Sequence, residues 1–309
     1  MDNILFVPST RELEWVQDVF PGASPAELPV AGRRAIDYAM ERAQKLGVVF
    51  TEVLDWHFSP RLADEFADMT RTGFPVFYMK GEGAVPRGLR DIEGHSSPLT
   101  SNVTDGLVVV WGLAISTHAA GEFTLAPVSD EECADTPAGL YRREGGRWMR
   151  IAPHGLVVRS VRAWHELNFM VLRQPQQFTL PGYSSERDVH IGRNVVIEHG
   201  ASIRQPVLLN DNTWFARNVT LDGDVIVDSG SYVSEGARLA RTVVCRDTFV
   251  GAGLDLSGKI VAGRRVIDAA TGTWVDLEEP GLARRIPHGL GWARSVWRFL
   301  RGRSFGRRS

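Results

Sequence analysis

From Val189 to Leu254 the chain repeats itself every six residues. An apolar or small residue stands at Ile191, Ile197, Ile203, Leu209, Phe215, Leu221, Val227, Val233, Leu239, Cys245 and Gly251. A second row runs two residues ahead of it: Val189, Val195, Ala201, Val207, Thr213, Val219, Val225, Ser231, Ala237, Val243 and Phe249. The position after the first row is often small or polar, as at Gly192, Asn210, Ala216, Asp222, Asp228, Ser234, Ala240 and Ala252. An amphipathic helix would repeat its apolar stripe at 3.6 residues, and one alternating strand does not run on for eleven hexads. A short strand and a sharp corner repeated in this way predict a β-helix with three hexads per coil. Both rows then point inward, and each coil buries its apolar face only against its neighbours. Nearly four coils are enough for such a stack.

The 309 residues leave room for a second domain, and a 43% hydrophobic content supports real cores. Two cysteines, Cys133 and Cys245, do not make a disulfide framework. Cys245 falls on an inward row, where a thiol acts as a small hydrophobe. No basic stretch followed by an apolar one opens the chain, so no secretory signal is read. The longest apolar run, Gly106 to Ile115, is about half of a bilayer-spanning length and is expected to be a buried strand. These features predict a cytoplasmic protein.

Ahead of the repeats, strands alternate with helices. Ile4 to Val7 is a short apolar strand. Pro29 to Leu46 has Ile36, Ala39, Met40, Ala43 and Leu46 on one helical face and stops at Gly47. Val48 to Leu54 is a second strand. Ser59 is placed to cap a helix from Pro60 to Met69, with Pro60 in its first turn. Phe74 to Met79, a helix beginning near Gly88, and Leu107 to Trp111 follow. Such alternation predicts a parallel, doubly wound sheet.

Several of these segments resemble the sugar-1-phosphate nucleotidyltransferases. The stretch Glu27-Leu28-Pro29-Val30-Ala31-Gly32-Arg33-Arg34-Ala35-Ile36-Asp37-Tyr38 is similar to that family's L-P-V-x-G-x-P-x-(I/L)-x-Y segment. Leu46-Gly47-Val48 matches the turn after it. Gly88-Leu89-Arg90-Asp91 resembles the end of the helix that lies along the nucleotide. Val108-Val109-Val110-Trp111-Gly112 stands where the family has a strand ending in G-D. Arg162 to Asn168 resembles the helix leading into the family's C-terminal left-handed β-helix. The resemblance implies a trimmed nucleotidyltransferase domain at 1–180 and a left-handed β-helix of hexapeptide repeats at 185–272. It also implies a nucleotide cleft formed by Val7, Pro8, Ser9, Thr10, Arg11, Gly88 and Gly112.

The departures bear on the chemistry. The family's glycine-rich phosphate loop presents backbone N–H groups to the triphosphate. Here its counterpart is Phe6-Val7-Pro8-Ser9-Thr10-Arg11-Glu12-Leu13, with no glycine before Gly22. Pro8 removes a donor and Glu12 adds charge of the wrong sign. Arg11 is the one retained residue. The family's phosphate-contacting lysine aligns with Ala26, and its two metal aspartates align with Leu113 and with Val157-Val158-Arg159-Ser160. Mg²⁺ needs hard oxygen ligands. Phosphoryl transfer is mostly positioning and electrostatics, so these losses remove nearly every contribution to it. The expectation is a degenerate sugar-nucleotide-binding or scaffolding protein of surface-polysaccharide metabolism, without a cofactor. An active transferase with unconventional Mg²⁺ ligands is the alternative.

A hexapeptide acyltransferase is the second alternative, because that class uses a corner histidine as general base. His190 and His199 are the candidates, His199 in an outward slot; a solvated corner residue is the plain reading of it. Asp222, Asp224 and Asp228 read as a solvated acidic face. Stacked coils also present flat lateral faces, so self-association is expected. Finally, Gly281 to Ser309 carries eight arginines, no acidic residue, and Trp292, Val296, Trp297, Phe299, Leu300 and Phe305. A basic amphipathic tail of this composition suits the inner membrane surface or an acidic partner such as a glycosyltransferase. A helix packed across the β-helix is the other reading. The sequence contains no recognisable nucleic-acid-binding module.

Overall fold

A computed structural model of the chain describes residues 3–45, 50–71, 76–93, 105–115, 124–152, 156–175, 177–186 and 188–286. The chain divides into two compact units, Met1–Leu167 and Asn168–Ser309. Among the described residues no helix is long and apolar enough to cross a membrane. The tail beyond Ile286, with Trp292 and Trp297, lies outside them, as does the Leu46-Gly47-Val48 turn.

The first unit contains β1 (Ile4–Val7), α1 (Trp15–Val19), the short strands β2 (Pro29–Val30) and β3 (Arg33–Arg34), α2 (Ala35–Lys45), β4 (Thr51–Asp55), α3 (Pro60–Arg71), β5 (Val76–Lys80) and α4 (Leu89–Ile92). It continues through β6 (Val108–Trp111), β7 (Leu113–Ile115), β8 (Thr124–Pro127), α5 (Asp130–Ala134), β9 (Gly139–Glu144), β10 (Arg147–Ala152) and β11 (Leu156–Val158). The boundary between the units falls within α6 (Val161–Leu172). The central sheet has seven strands in the order β5-β4-β1-β6-β9-β10-β8. Its first four are parallel, as the βαβ alternation requires. The other three are antiparallel, so the sheet is mixed rather than wholly parallel.

The sequence held the signal for that difference. Gly145 and Gly146, with φ of 54° and 76°, make the two-residue turn between β9 and β10, and positive φ at both central positions matches the twist of a hairpin. A similar turn, Ala31 and Gly32, closes β2 on β3 and delays α2 to Ala35 instead of Pro29. Ser59 does cap α3: its Oγ accepts the Leu62 N–H at 3.5 Å. β1 alternates its side chains between two cores. Ile4 and Phe6 pack with Ile36, Met40, Val53, Leu62 and Phe66; Leu5 and Val7 pack with Leu89, Ile92, Trp111, Tyr141 and Trp148.

In the second unit the chain visits three sheets in rotation. Strands 189–191, 207–209, 225–227, 242–244 and 259–262 are parallel neighbours in one; 196–197, 214–215, 232–233 and 248–250 in another; 202–204, 220–222, 238–240 and 255–257 in the third. Val207, Leu209, Phe215, Leu221, Val225, Val227, Val233 and Leu239 fill the interior. The corners need left-handed backbone, which explains the recurrent Asn, Asp and Gly: Asn194, Asn212 and Asn218 have φ of 56°, 58° and 59°. Asn194 Nδ2 donates to Asn212 Oδ1 at 3.0 Å, tying one coil to the next.

The hexad register is not unbroken. Val207 pairs with Val225, eighteen residues on, but Val227 pairs with Val244 and Val244 with Val261. The corner before strand 242–244 is one residue, Arg241, and so is the corner before strand 259–262, Gly258, where the corresponding earlier corners are Gln205-Pro206 and Gly223-Asp224. From Arg241 on the inward residues are Thr242, Val244, Thr248 and Val250, not Val243, Cys245, Phe249 and Gly251. Adjacent apolar residues, Val243-Val244 and Phe249-Val250, hide the slip from a pattern of apolar positions. The inward hydroxyls are satisfied: Thr242 Oγ1 donates to the Leu256 carbonyl at 3.0 Å, and Thr248 Oγ1 accepts from Gly263 N at 2.9 Å. Displaced outward, Phe249 continues a stack with Tyr232 and Trp214, at centroid separations of 5.6 and 6.3 Å.

The fold also runs past Pro280. Residues 283–285 pair antiparallel with 248–250, Ala283 joins the core, and Arg284 lies 5.4 Å from the Phe249 ring centroid. The residues from Gly281 to Ile286 therefore belong to the folded unit rather than to a separate tail. Asp222 and Asp224 are engaged in ion pairs, Asp222 with Arg204 at 2.7 Å and Asp224 with Arg173 and Arg241. Asp224 and Asp228 are buried, so the three aspartates are not one solvated face.

Two outcomes follow from this core. Phe215→Ala should cost about 3–5 kcal/mol in urea unfolding, the range for a buried aromatic truncated in a closed interior. Asp228 accepts from Asn210 Nδ2 at 2.9 Å and Ser229 N at 2.7 Å, yet burial raises its pKa above the usual carboxylate range. A raised carboxyl pKa opposes folding when the group is charged, and the penalty vanishes once it is protonated in both states. Asp228→Asn keeps an acceptor for both donors and should raise the melting temperature at pH 7. That advantage should shrink as pH falls and disappear below the ordinary aspartate range of about 3.9.

Candidate functional site

Because β5, β4, β1 and β6 are parallel, their C-terminal ends share one edge of the sheet. The chain steps outward from β1 to β4 and β5, then returns to place β6 on the other side of β1. The connections therefore diverge between β1 and β6, which is where open α/β sheets leave a crevice for ligands. Two polar constellations occupy this edge.

The first is built on Asp55, the last residue of β4, which is wholly buried. Its Oδ1 accepts from the Ser9 hydroxyl and from His57 N at 2.9 Å; its Oδ2 accepts from the Ser24 hydroxyl and from Tyr78 Oη at 2.9 Å. Ser9 Oγ also lies 3.0 Å from His57 Nδ1. Burial, with the Asp55 charge beside it, pushes the Tyr78 phenol above its usual range. Ser9 is completely buried and its hydroxyl is directed to a carboxylate, so it is a strut and not a nucleophile. The arrangement ties the segments after β1 and β4, strand β5 itself and the residue that caps the turn Pro25–Glu27 to one carboxylate.

The second constellation is a cleft of about 500 Å³ lined by Thr10, Arg11, Glu12, Arg87, Trp111, Asp135, Thr136 and Pro137. Its floor is stitched together by backbone and side chain. Thr136 N donates to the Arg87 carbonyl at 2.9 Å, and Thr136 Oγ1 accepts from Leu89 N at 3.0 Å. Tyr141 Oη donates to the Pro137 carbonyl at 2.7 Å. Glu12 is committed within the wall: its Oε2 accepts from Ala138 N at 2.9 Å and lies 3.6 Å from Arg159 Nε. Arg11 and Arg87 are exposed at the rim and form no ion pair among the described residues. Thr10 is buried, and its Oγ1 finds no hydrogen-bond partner. It precedes the short turn Arg11–Leu13 but does not cap it.

Of the seven cleft residues expected from sequence, Thr10 and Arg11 line the cleft. Val7 does not; strand alternation turns it into the core beside Trp111 and Leu89. Ser9 is drawn away by Asp55. Pro8 and Gly112 line a separate apolar crevice of about 10 Å³, at the limit of the space one water needs. Gly112 has φ +69°, and a Cβ there would meet Ala138 Cβ at 2.9 Å, so it allows the chain to leave β6 for β7. Gly88 serves packing: a Cβ would come within 2.3 Å of the Cys133 carbonyl on α5. Sequence reasoning missed Asp55, His57, Tyr78 and Arg87. For Asp55 a signal existed, a carboxylate closing an apolar strand.

The positions where the resemblance expects metal and lysine chemistry are apolar and packed. Ala26 is buried against the Phe6 and Ile36 core, and Leu113 is buried opposite Val158. Among the described residues no three His, Cys, Asp or Glu side chains gather as a metal cluster. Glu12 is already engaged, which leaves Asp135 as the one open carboxylate of the cleft lining, short of the two that the resemblance expects for Mg²⁺.

His190 and His199 belong to the second unit. His199 is an exposed corner residue whose carbonyl accepts from Asn218 N at 3.3 Å. His190 is buried, its Nε2 has no partner, and burial lowers its pKa while Asp188 opposes the shift. The Cys245 thiol is likewise buried and pushed up by burial, so it is no reactive thiolate.

If Asp55 is the strut of this edge, Tyr78→Phe should destabilise the protein by about 1.5–3 kcal/mol, the range for a hydrogen bond to a charged group. Urea unfolding followed by tryptophan fluorescence measures it. In comparisons with known proteins, no family profile and no curated protein matches the chain.

Proposed function

We propose that this chain is a nucleotidyltransferase-like protein of sugar-nucleotide or surface-polysaccharide metabolism that binds a nucleotide sugar without turning it over. On this reading the first unit is a trimmed Rossmann-like domain, and the second is a left-handed β-helix of hexapeptide repeats. The strand order at the β1–β6 divergence and the rotation through three parallel sheets support it. The carrying observation is the contrast within one site. The cleft keeps its place at the sheet edge and two unpaired arginines, while the lysine and metal positions are filled by Ala26 and Leu113.

Binding needs shape and countercharge; phosphoryl transfer needs stabilisation of a highly charged transition state as well. Arg11 and Arg87 suit the first task. Of the two carboxylates in the lining Glu12 is committed to Ala138 N and Arg159 and Asp135 stands alone, so a scaffold that holds its ligand fits the residues better than an enzyme. The acyltransferase alternative receives no support from His199, an exposed corner residue. The protein acts in the cytoplasm, and lateral faces of the β-helix carry self-association. The arginine-rich residues beyond Ile286 take it to an anionic membrane surface or to a glycosyltransferase.

Two measurements on the purified chain test this. Titration calorimetry with UDP-glucose, GDP-mannose and dTDP-glucose should give saturable binding to at least one. A coupled assay with sugar 1-phosphates, nucleoside triphosphates and Mg²⁺ should release no pyrophosphate above a mock preparation. Metal-dependent pyrophosphate release would establish an active transferase instead, and no binding to any nucleotide sugar would remove the reading.

A further inference from the structure

We infer that the cleft holds the diphosphate of its ligand directly between Arg11 and Arg87, with no divalent cation. This rests in part on the nucleotide-sugar reading, because that reading supplies the diphosphate; the metal-free mode of binding is a separate claim.

The residues carry it as follows. A diphosphate brings two adjacent negative groups, which need either a metal ion or paired side-chain cations. Guanidinium suits the second solution, since its planar fork of donors matches phosphate oxygens in pairs. Arg11 and Arg87 come from different segments, one after β1 and one before α4, and both line the same cleft. Neither is spent on an ion pair among the described residues, unlike Arg90, which binds Asp130 at 2.8 Å, or Arg143, which binds Glu93 at 2.7 Å.

The backbone under Arg87 is fixed. Its N–H donates to Asp91 Oδ2 at 2.6 Å and its carbonyl accepts from Thr136 N at 2.9 Å. The guanidinium is thus presented from a fixed base. The acidic group closest in sequence to Arg11, Glu12, is withdrawn into the wall by Ala138 N and Arg159. Its charge is partly neutralised there, and it offers no open pair of oxygens to a cation. Thr10 contributes to the lining, but its Oγ1 is closed off from solvent beside Gly112, so the two arginines alone meet the ligand. Asp135, also in the lining, is exposed to solvent.

The test is calorimetric titration of the full chain with inorganic pyrophosphate and with UDP-glucose, GDP-mannose and dTDP-glucose, each in EDTA and in Mg²⁺. Binding in EDTA, changed less than threefold by Mg²⁺, is expected. Arg87→Ala and Arg11→Ala should each weaken it at least tenfold, and Arg87→Lys should recover only part. Unchanged circular dichroism and melting temperature in the Arg87 variants, whose side chain is exposed, separate lost binding from lost fold.

Binding that needs Mg²⁺ would overturn the metal-free mode and leave the nucleotide-sugar reading standing. Pyrophosphate bound in EDTA with every nucleotide sugar excluded would do the reverse. Arginine variants that bind as the parent does would overturn the assignment to this cleft. No binding of any probe in either condition would remove both claims.

Discussion

The sheet edge that carries the cleft is held in place by one buried carboxylate. Asp55 ends the second of the parallel strands, and three hydroxyls and a backbone N–H converge on it from three other segments. An ionised carboxylate offers about four lone-pair sites, and here each oxygen accepts two hydrogen bonds. That completeness is what makes so buried a charge tolerable, since an unpaired one would cost several kcal/mol. The consequence reaches the cleft through Ser9. With Ser9 drawn toward Asp55, the chain after β1 turns so that the next two residues, Thr10 and Arg11, line the cavity. A glycine-rich loop would wrap phosphate with backbone N–H groups. This loop is instead fixed by side chains and presents side chains.

The second unit depends on a different constraint, the equal length of its coils. Stacked strands keep their neighbours only if each circuit uses the same number of residues, or if a corner absorbs the difference. Arg241 does so by taking a left-handed conformation in a one-residue corner, φ +44°. A non-glycine residue there is costly, roughly 1–2 kcal/mol. Arg241 offsets this through its guanidinium, 3.5 Å from Asp224 and 5.8 Å from the Phe169 ring centroid. The shortened corner turns Phe249 outward onto Tyr232. An aromatic stack outside the coil's interior, itself buried, and threonines within that interior are both products of one missing residue.

What the sequence disclosed follows from how strongly each pattern is constrained. Six-residue periodicity was legible because an interior built from stacked coils tolerates few exceptions, and most of the inward rows, from Val207 to Leu239, stand where the period puts them. The slip was not, because Val243-Val244 and Phe249-Val250 satisfy either register. The parallel strands were legible from their intervening helices, whereas the β9–β10 hairpin depended on reading Gly145-Gly146 as a turn. In the site, Thr10 and Arg11 were found through resemblance. Arg87 was not, because its contribution comes from a backbone pinned by Thr136, some fifty residues away in sequence. Val7 and Gly88 were misplaced because adjacency to a motif does not say which way a strand or a helix start faces.

The pattern of losses and retentions within the cleft is itself directional. Ala26 and Leu113 are apolar residues buried in the core, so the positions where the resemblance expects charge serve packing. Buried apolar side chains contribute roughly 25 cal/mol for each Å² removed from water, and restoring a lysine or aspartate there would forfeit that and bury an unpaired charge. The rim follows the opposite rule. Arg11 and Arg87 are exposed and bonded to no acidic partner among the described residues, so they add nothing to the fold that another polar side chain could not supply. The same sheet edge is therefore apolar and packed within and cationic at its rim. On the proposed reading, that division is what lets the cleft hold a phosphorylated ligand without breaking it.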